Sequence, residues 1–441
     1  MNQAGLQLEQ APPIWVPFLF FLVAPAFLLI TALALAWEGP GAFESRTSSV
    51  AIGITHLYVL GFMATVMIGS MMQMLPVLQG SPVPMPRTTA GATFVGVFYG
   101  TLALSAGMLL GNAWLIQSAA VALAAGFGVF VLAILVCLAR APGQNHTVRA
   151  MWLAVVSLLV TVVLGVLLGL LYGWGIELPN AAVAALHPGW GLIGWTGLLV
   201  VGVGFELVPM LQMTPLYPKP LSRLLGPAIL ALLIAWSILL WVGDGTWSAL
   251  APLAQLCAAG MAVAYLAFAA VTTRLQLRRK RRLPDVTLDF WRVAMAALTL
   301  ASLAWVLRVL LPGAVPESTD IVIGVLAMFG FAGFVISGML YKIMPFLAWF
   351  HLQALCPPGV LAPNMKKILP DADQRLQFRA QVAALALLCA AALWPGWLVY
   401  PAALALAVAA VLLHRNMLMI VRAYGDGLRR TQARAASPAV P

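Results

Sequence analysis

Two histidines, His56 and His187, are the residues of this sequence whose chemistry best suits a metal or a haem. Each lies a short way inside a long apolar run that predicts a membrane-spanning helix. At about 1.5 Å per residue, both rings should lie roughly 10 Å below the same face of the membrane. A neutral imidazole is a usual ligand of haem iron and of copper. The alternative is a pair of histidines that are hydrogen-bonded for structural reasons only.

Methionines could complete such a centre. Met328 lies in the tenth apolar run at the depth expected for His56, and histidine–methionine pairs ligate the iron of many cytochromes. Thioethers also suit Cu(I), and a local group of methionines comprises Met63, Met67, Met71, Met72, Met74, Met210 and Met213. Packing of these flexible side chains between helices is the simpler interpretation.

A second candidate site consists of three polar residues at equivalent places in three apolar runs. The three residues are Gln73, Glu206 and Lys342, and each lies three residues before a proline. This spacing predicts that their side chains lie at the same depth, near one face of the membrane. We hypothesise an ion pair between Glu206 and Lys342, with separate snorkelling to the interface as the alternative. His414 lies near the end of the last run, roughly 15 Å from the depth of His56, so these two cannot share a cofactor.

The elements that position these residues are membrane helices. The chain is 63% hydrophobic and only 8% charged, so the bilayer must be its main solvent. We therefore predict an all-α, polytopic membrane bundle that forms a single domain over residues 1–441. The twelve predicted spans are 14–37, 48–74, 91–110, 113–139, 150–174, 181–211, 223–243, 247–272, 288–311, 320–349, 378–394 and 396–421.

Charge is distributed unequally between the two sides of this bundle. Of the 24 Lys and Arg residues, all except Arg46 and Arg308 fall on one side, here called the basic face, and the opposite side is called the acidic face. The positive-inside rule predicts that the basic face and both termini are cytoplasmic in a bacterial-type inner (plasma) membrane. The net charge of +11 therefore reflects topology and does not indicate nucleic-acid binding. The sequence carries no signal of oligomeric state.

The helices also follow an internal repeat of four. Three runs share a proline, a glycine fifteen residues before it and a second glycine seven residues before it. The prolines are Pro76, Pro209 and Pro345, and the glycines are Gly61 and Gly69, Gly194 and Gly202, and Gly330 and Gly338. We predict three pseudo-repeats at approximately 14–140, 150–272 and 288–421. The glycines should allow close approach of a neighbouring helix or a flat ligand.

Two stretches resemble subunit I of the haem–copper oxidases. Thr55 to Arg87 is similar to that family's second helix, in which a haem-binding histidine precedes a glycine turn, a proline and a Pro-Arg loop. The matching residues here are His56, Met67-Ile68-Gly69, Leu75-Pro76, and Gly80-Ser81-Pro82 through Pro86-Arg87. His187-Pro188 resembles the family's His-Pro-Glu-Val-Tyr motif, whose histidine binds copper. The resemblance implies haem b, copper and a redox partner protein such as a cytochrome c.

The departures from that family are as informative as the likeness. The predicted seventh and tenth helices contain no histidine, and Gly189 and Gly191 replace the Glu and Tyr of the copper motif. The resemblance therefore implies a divergent member that lacks the full histidine set, is not a competent oxygen reductase, and is comparable in size to NnrS-like haem–copper membrane proteins.

Three functions remain open at this point. The first is a haem-binding membrane protein for electron transfer or for gas and redox sensing. The second is a transporter or copper-handling permease that uses the level of Gln73, Glu206 and Lys342. The third is a non-catalytic membrane assembly factor. Whether the chain is an enzyme is not indicated.

Overall fold

The fold is a bundle of long helices. The computed structural model describes residues 8–141, 143, 146–178, 180–243, 250–280, 283–311, 313–356 and 365–436, and within these ranges it contains no strand. Twelve helices within the described ranges are long and apolar enough to cross a membrane. They are α1 Trp15–Phe43, α2 Ser49–Val77, α3 Pro86–Leu110, α4 Ala113–Ala139, α5 His146–Trp174, α6 Val183–Gln212, α7 Lys219–Gly243, α8 Ala251–Leu277, α9 Val286–Leu310, α10 Ser318–Leu355, α11 Asp371–Leu393 and α12 Pro395–Thr431. The predicted polytopic helical bundle is therefore confirmed.

Several helices are longer than the apolar runs that predicted them. Helix α11 begins at Asp371, seven residues before the predicted start, and its first turns carry acidic and amide side chains. Helix α12 likewise extends beyond residue 421. The backbone hydrogen bonds of a helix form within the helix itself, whether its side chains are polar or apolar. A helix can therefore continue past its apolar run, and hydropathy alone underestimates its length. Residues 247–249 of the eighth predicted span lie outside the described residues.

Helices α2, α6 and α10 form the interior of the bundle. In their most apolar windows 67%, 78% and 61% of the residues are buried, the highest shares among the twelve spans. Each contains one π-helical segment: Leu57–Ala64, Gly189–Gly197 and Leu326–Ala332. These segments end 12 or 13 residues before Pro76, Pro209 and Pro345, so they occupy the positions that the repeat equates.

The repeat glycines make one kind of helix contact three times. A Cβ at Gly69, Gly202 or Gly338 would clash with Phe20, Ala150 or Phe290, respectively. A Cβ at Gly61, Gly194 or Gly330 would clash with the residue seven positions further along the same neighbouring helix: Phe27, Ser157 or Ala297. In every case the neighbour is the first helix of the proposed unit and the glycines lie on the second. This recurrence supports the four-helix repeat, whose residue limits stay a prediction.

A buried hydrogen-bond network joins the last three helices. The amide of Asn416 donates to the Tyr341 hydroxyl (2.9 Å) and to the Asp373 carbonyl (3.1 Å). The Tyr341 hydroxyl donates to Gln377 (3.2 Å), which in turn donates to Gln381 (2.9 Å). Polar groups away from water need such partners, so the network fixes how α10, α11 and α12 pack.

Candidate functional site

The structure brings the rings of His56 and His187 side by side in the interior of the bundle. Their centroids are 6.1 Å apart and their planes differ by 21°. His56 lies on α2 and His187 on α6, and both side chains are half-buried. Two imidazoles bound on opposite sides of one metal, with metal–nitrogen bonds of about 2.0 Å, have centroids roughly 6 Å apart. The observed separation is therefore compatible with one shared metal.

Backbone carbonyls orient both rings. Nδ1 of His56 donates to the carbonyl of Ile52 (2.8 Å), and Nδ1 of His187 donates to the carbonyl of Thr161 (3.1 Å). Because a carbonyl oxygen only accepts, the proton of each neutral ring must be on Nδ1. Each Nε2 is then left with a free lone pair. Metal-binding histidines have the same arrangement, in which the second ring nitrogen donates to a carbonyl or a carboxylate.

Local helix geometry places the two histidines. His56 is the last residue before the π-helical segment of α2, and His187 precedes that of α6 with only Pro188 between them. Proline lacks an N–H and disturbs the α-helical bonding pattern, and π-helical turns recur at functional sites. On α10 the π-helical segment begins after Val325, so the third repeat has an aliphatic side chain at the position that His56 occupies on α2.

Gly165 on α5 provides the space for the ring of His187. A Cβ at this position would lie 3.0 Å from Cε1 and 3.5 Å from Nδ1 of that imidazole. Thr161, whose carbonyl holds the ring, lies one turn earlier on the same helix. One face of α5 therefore both accommodates and orients His187.

Met328 is connected to α2 through an aromatic residue. The Tyr58 hydroxyl donates to the Met328 carbonyl (3.2 Å), and the ring of Tyr58 stacks on Phe329 with centroids 3.8 Å apart. The terminal methyl of Met328 lies near Gly324 on its own helix. These contacts describe its backbone and methyl group, and a role as an iron ligand stays a prediction.

The predicted ion pair between Glu206 and Lys342 is wrong. Nζ of Lys342 pairs instead with Oδ2 of Asp285 at 3.0 Å. Asp285 is the N-cap of α9, where its other carboxylate oxygen accepts from the Thr287 N–H, so it is already fixed beside Lys342 of α10. One oxygen of Glu206 and one of Gln73 are buried, and neither has a hydrogen-bond partner among the described residues.

The remaining candidates lie apart from the histidine pair. His414 lines a groove between α1 and α12. The methionines do not form one cluster, because Met210 and Met213 are exposed, Met74 is partly buried, and the other four are buried in the hydrophobic core. The buried ones are Met63, Met67, Met71 and Met72. Core packing accounts for them, as the simpler interpretation expected.

The donor set fits haem iron better than an ion held by protein alone. Among the described residues no group of three or more His, Cys, Asp or Glu is placed to hold a metal. Structural and catalytic zinc sites need three or four protein ligands. A haem supplies four nitrogens itself, so two imidazoles complete its coordination.

Sequence reasoning missed the residues that position the imidazoles. The Ile52 and Thr161 carbonyls are backbone groups, which leave no signal in residue type. Asp285 did leave one, because an acidic residue directly before an apolar run is a typical helix N-cap. Asn416 lies within the last predicted apolar run and Gln377 directly before the eleventh, so both amides were also visible in the sequence.

Comparison with known proteins supports the fold. No family model matches the chain, and no curated protein matches it in sequence. A chain of a haem–copper terminal oxidase dimer, determined by cryo-EM, superposes with a TM-score of 0.60 at 12% identity, over 97% of this chain and 85% of that one. The chain is thus a multi-pass helical membrane protein that resembles haem–copper oxidase subunit I in structure. At this identity the likeness concerns the fold alone.

Proposed function

We propose that this chain is a haem-binding protein of the inner membrane in which His56 and His187 ligate one haem iron. The observation that carries the proposal is the paired geometry: two imidazoles 6.1 Å apart, each with its Nδ1 held by a carbonyl. A haem b bound there would supply reversible one-electron chemistry, and it would bind a gas only if one of the two imidazoles left the iron. The chain itself would orient the ligands through Ile52 and Thr161 and keep water away.

Because of its departures from the oxidase motifs, the chain is not proposed to reduce oxygen. The chain lacks the further histidines that the oxidase resemblance would require on α7 and within residues 320–349 of α10. Electron transfer with a partner such as a cytochrome c, or sensing of a gas or redox state, is then the proposed role. The basic face is proposed to be cytoplasmic, with both termini on that side.

The test is the visible spectrum of the purified protein, with haem quantified as its pyridine complex. The wild-type protein should show a Soret band and about one haem per chain. His56→Ala and His187→Ala should each lose most of the bound haem. His146 is an exposed histidine at the start of α5, so His146→Ala should retain the haem. A colourless wild-type protein, or full haem content in either ligand variant, would contradict the proposal. Bound copper without haem would favour the permease alternative.

A second candidate function is transport, and the unpartnered oxygens of Gln73 and Glu206 favour it. Buried polar atoms inside a membrane protein are costly unless water or an ion satisfies them. In proteoliposomes, Glu206→Gln should then abolish a proton or cation flux, while Glu177→Gln, at an exposed residue of the acidic face, should not. Equal flux in wild-type, Glu206→Gln and empty vesicles would remove this candidate.

A further inference from the structure

A groove between α1 and α12 is a site of different chemistry from the histidine pair. It has a volume of about 290 Å³ and is partly open to its surroundings. Its lining residues are Pro25, Ala26, Leu29, Ala410, Val411, His414, Arg415, Leu418 and Arg422. Neither His56 nor His187 lines it.

The groove is apolar at one end and cationic at the other. Pro25, Leu29 and Val411 form the apolar wall, and Arg415 and Arg422 lie towards the basic face. Ala410 and Arg422 are twelve residues apart on α12, which corresponds to roughly 18 Å along the helix. The groove therefore runs from the hydrocarbon region towards one interface, as a phospholipid does.

The cationic end has charge and hydrogen-bonding capacity that the protein does not use. Arg415 pairs with Asp373 at 3.1 Å, whereas Arg422 forms no ion pair among the described residues. His414 also lines the groove, but its Nδ1 is buried and therefore shielded from it. An anion that also accepts hydrogen bonds, such as a phosphate diester, would complement the charge of Arg422.

We propose that this groove binds an anionic phospholipid from the leaflet at the basic face. Its phosphate lies at the guanidinium of Arg422, and one acyl chain follows Pro25, Leu29 and Val411. A free phosphate would leave the apolar length empty, and a zwitterionic lipid would add a cation beside Arg422. Basic sites between membrane helices on the cytoplasmic side commonly recognise anionic head groups.

The proposal is tested by native mass spectrometry of the full-length protein in detergent, titrated with phosphatidylglycerol and, separately, phosphatidylcholine. Phosphatidylglycerol should bind more tightly, and Arg422→Gln should weaken it about fivefold, the effect of roughly 1 kcal/mol for one arginine near anionic lipid. Arg430→Gln is the matched control, because Arg430 is an exposed residue on the same helix. It should leave binding unchanged.

A second variant tests the acyl-chain part of the site. Val411→Trp fills the apolar end without changing any charge, and Val411 is half exposed, so the fold should tolerate it. Phosphatidylglycerol binding should fall, as it does in Arg422→Gln. Equal binding of both lipids by the wild-type protein would overturn the proposal, as would displacement of the lipid by inorganic phosphate. None of these readouts requires a haem, so this test is independent of the proposed function.

Discussion

Replacing Gly165 by alanine perturbs the proposed centre without altering either ligand. The new Cβ would lie 3.0 Å from Cε1 of His187, whereas carbon atoms pack best at about 3.5–4.0 Å. The ring must therefore retreat by a few tenths of an ångström, which lengthens and weakens its hydrogen bond to the Thr161 carbonyl. Loss of such an orienting contact typically weakens metal binding by about 10–100-fold.

Global stability should change much less than cofactor binding. Overpacking costs about 1–3 kcal/mol, and replacement of a helical glycine by alanine offsets about 1 kcal/mol of it. The free energy of unfolding should therefore fall by no more than roughly 2 kcal/mol. The variant is expected to fold, so that the two effects are measured separately.

The assay is transfer of haem from the purified protein to excess apomyoglobin, followed by absorbance. Gly165→Ala should lose haem at least about tenfold faster than wild type. Gly128→Ala is the matched control, because a Cβ at this helical glycine of α4 meets nothing within 4 Å. Unchanged haem loss in Gly165→Ala, or an equal increase in Gly128→Ala, would refute the assigned role of Gly165 and Thr161.

The remaining predictions concern polar contacts, each measured by unfolding in one detergent. Tyr341→Phe removes the hydroxyl that joins two buried amides, and the free energy of unfolding should fall by about 1–3 kcal/mol. Tyr99→Phe removes an exposed hydroxyl and should lower it clearly less. Equal losses in the two variants would contradict the structural role of the network. Asp285→Asn keeps an oxygen to cap α9 but removes the charge, so a double-mutant cycle with Lys342→Met should give a coupling of roughly 0.5–1 kcal/mol. The cycle of Glu206→Gln with Lys342→Met should be additive, and coupling there would restore the ion pair that the structure replaces.

The fold was predictable because membrane helices leave strong signals. Run length and composition predicted the twelve spans, since the bilayer requires long apolar helices. The spacing of Gly61 and Gly69 before Pro76, repeated twice more, indicated close helix contacts, and the structure contains them at Phe27 and Phe20. Equal depth on equivalent helices likewise predicted that His56 and His187 would be neighbours.

Side-chain pairing was less accessible from the sequence. Matching of charges by depth suggested Glu206 for Lys342, but depth does not specify which faces of two helices meet. The true partner, Asp285, was a helix cap whose charge remained available after it had capped the backbone. The ring orientations of His56 and His187 depend on backbone carbonyls and on π-helical turns, which follow from tertiary packing.

The most direct test of the shared centre is a cryo-EM map of the protein purified with its haem. The account predicts density for iron between the two imidazoles, bonded to Nε2 of both His56 and His187, with each Nδ1 still on its carbonyl. A haem bound elsewhere, or two rings in contact with nothing between them while haem is present, would contradict it.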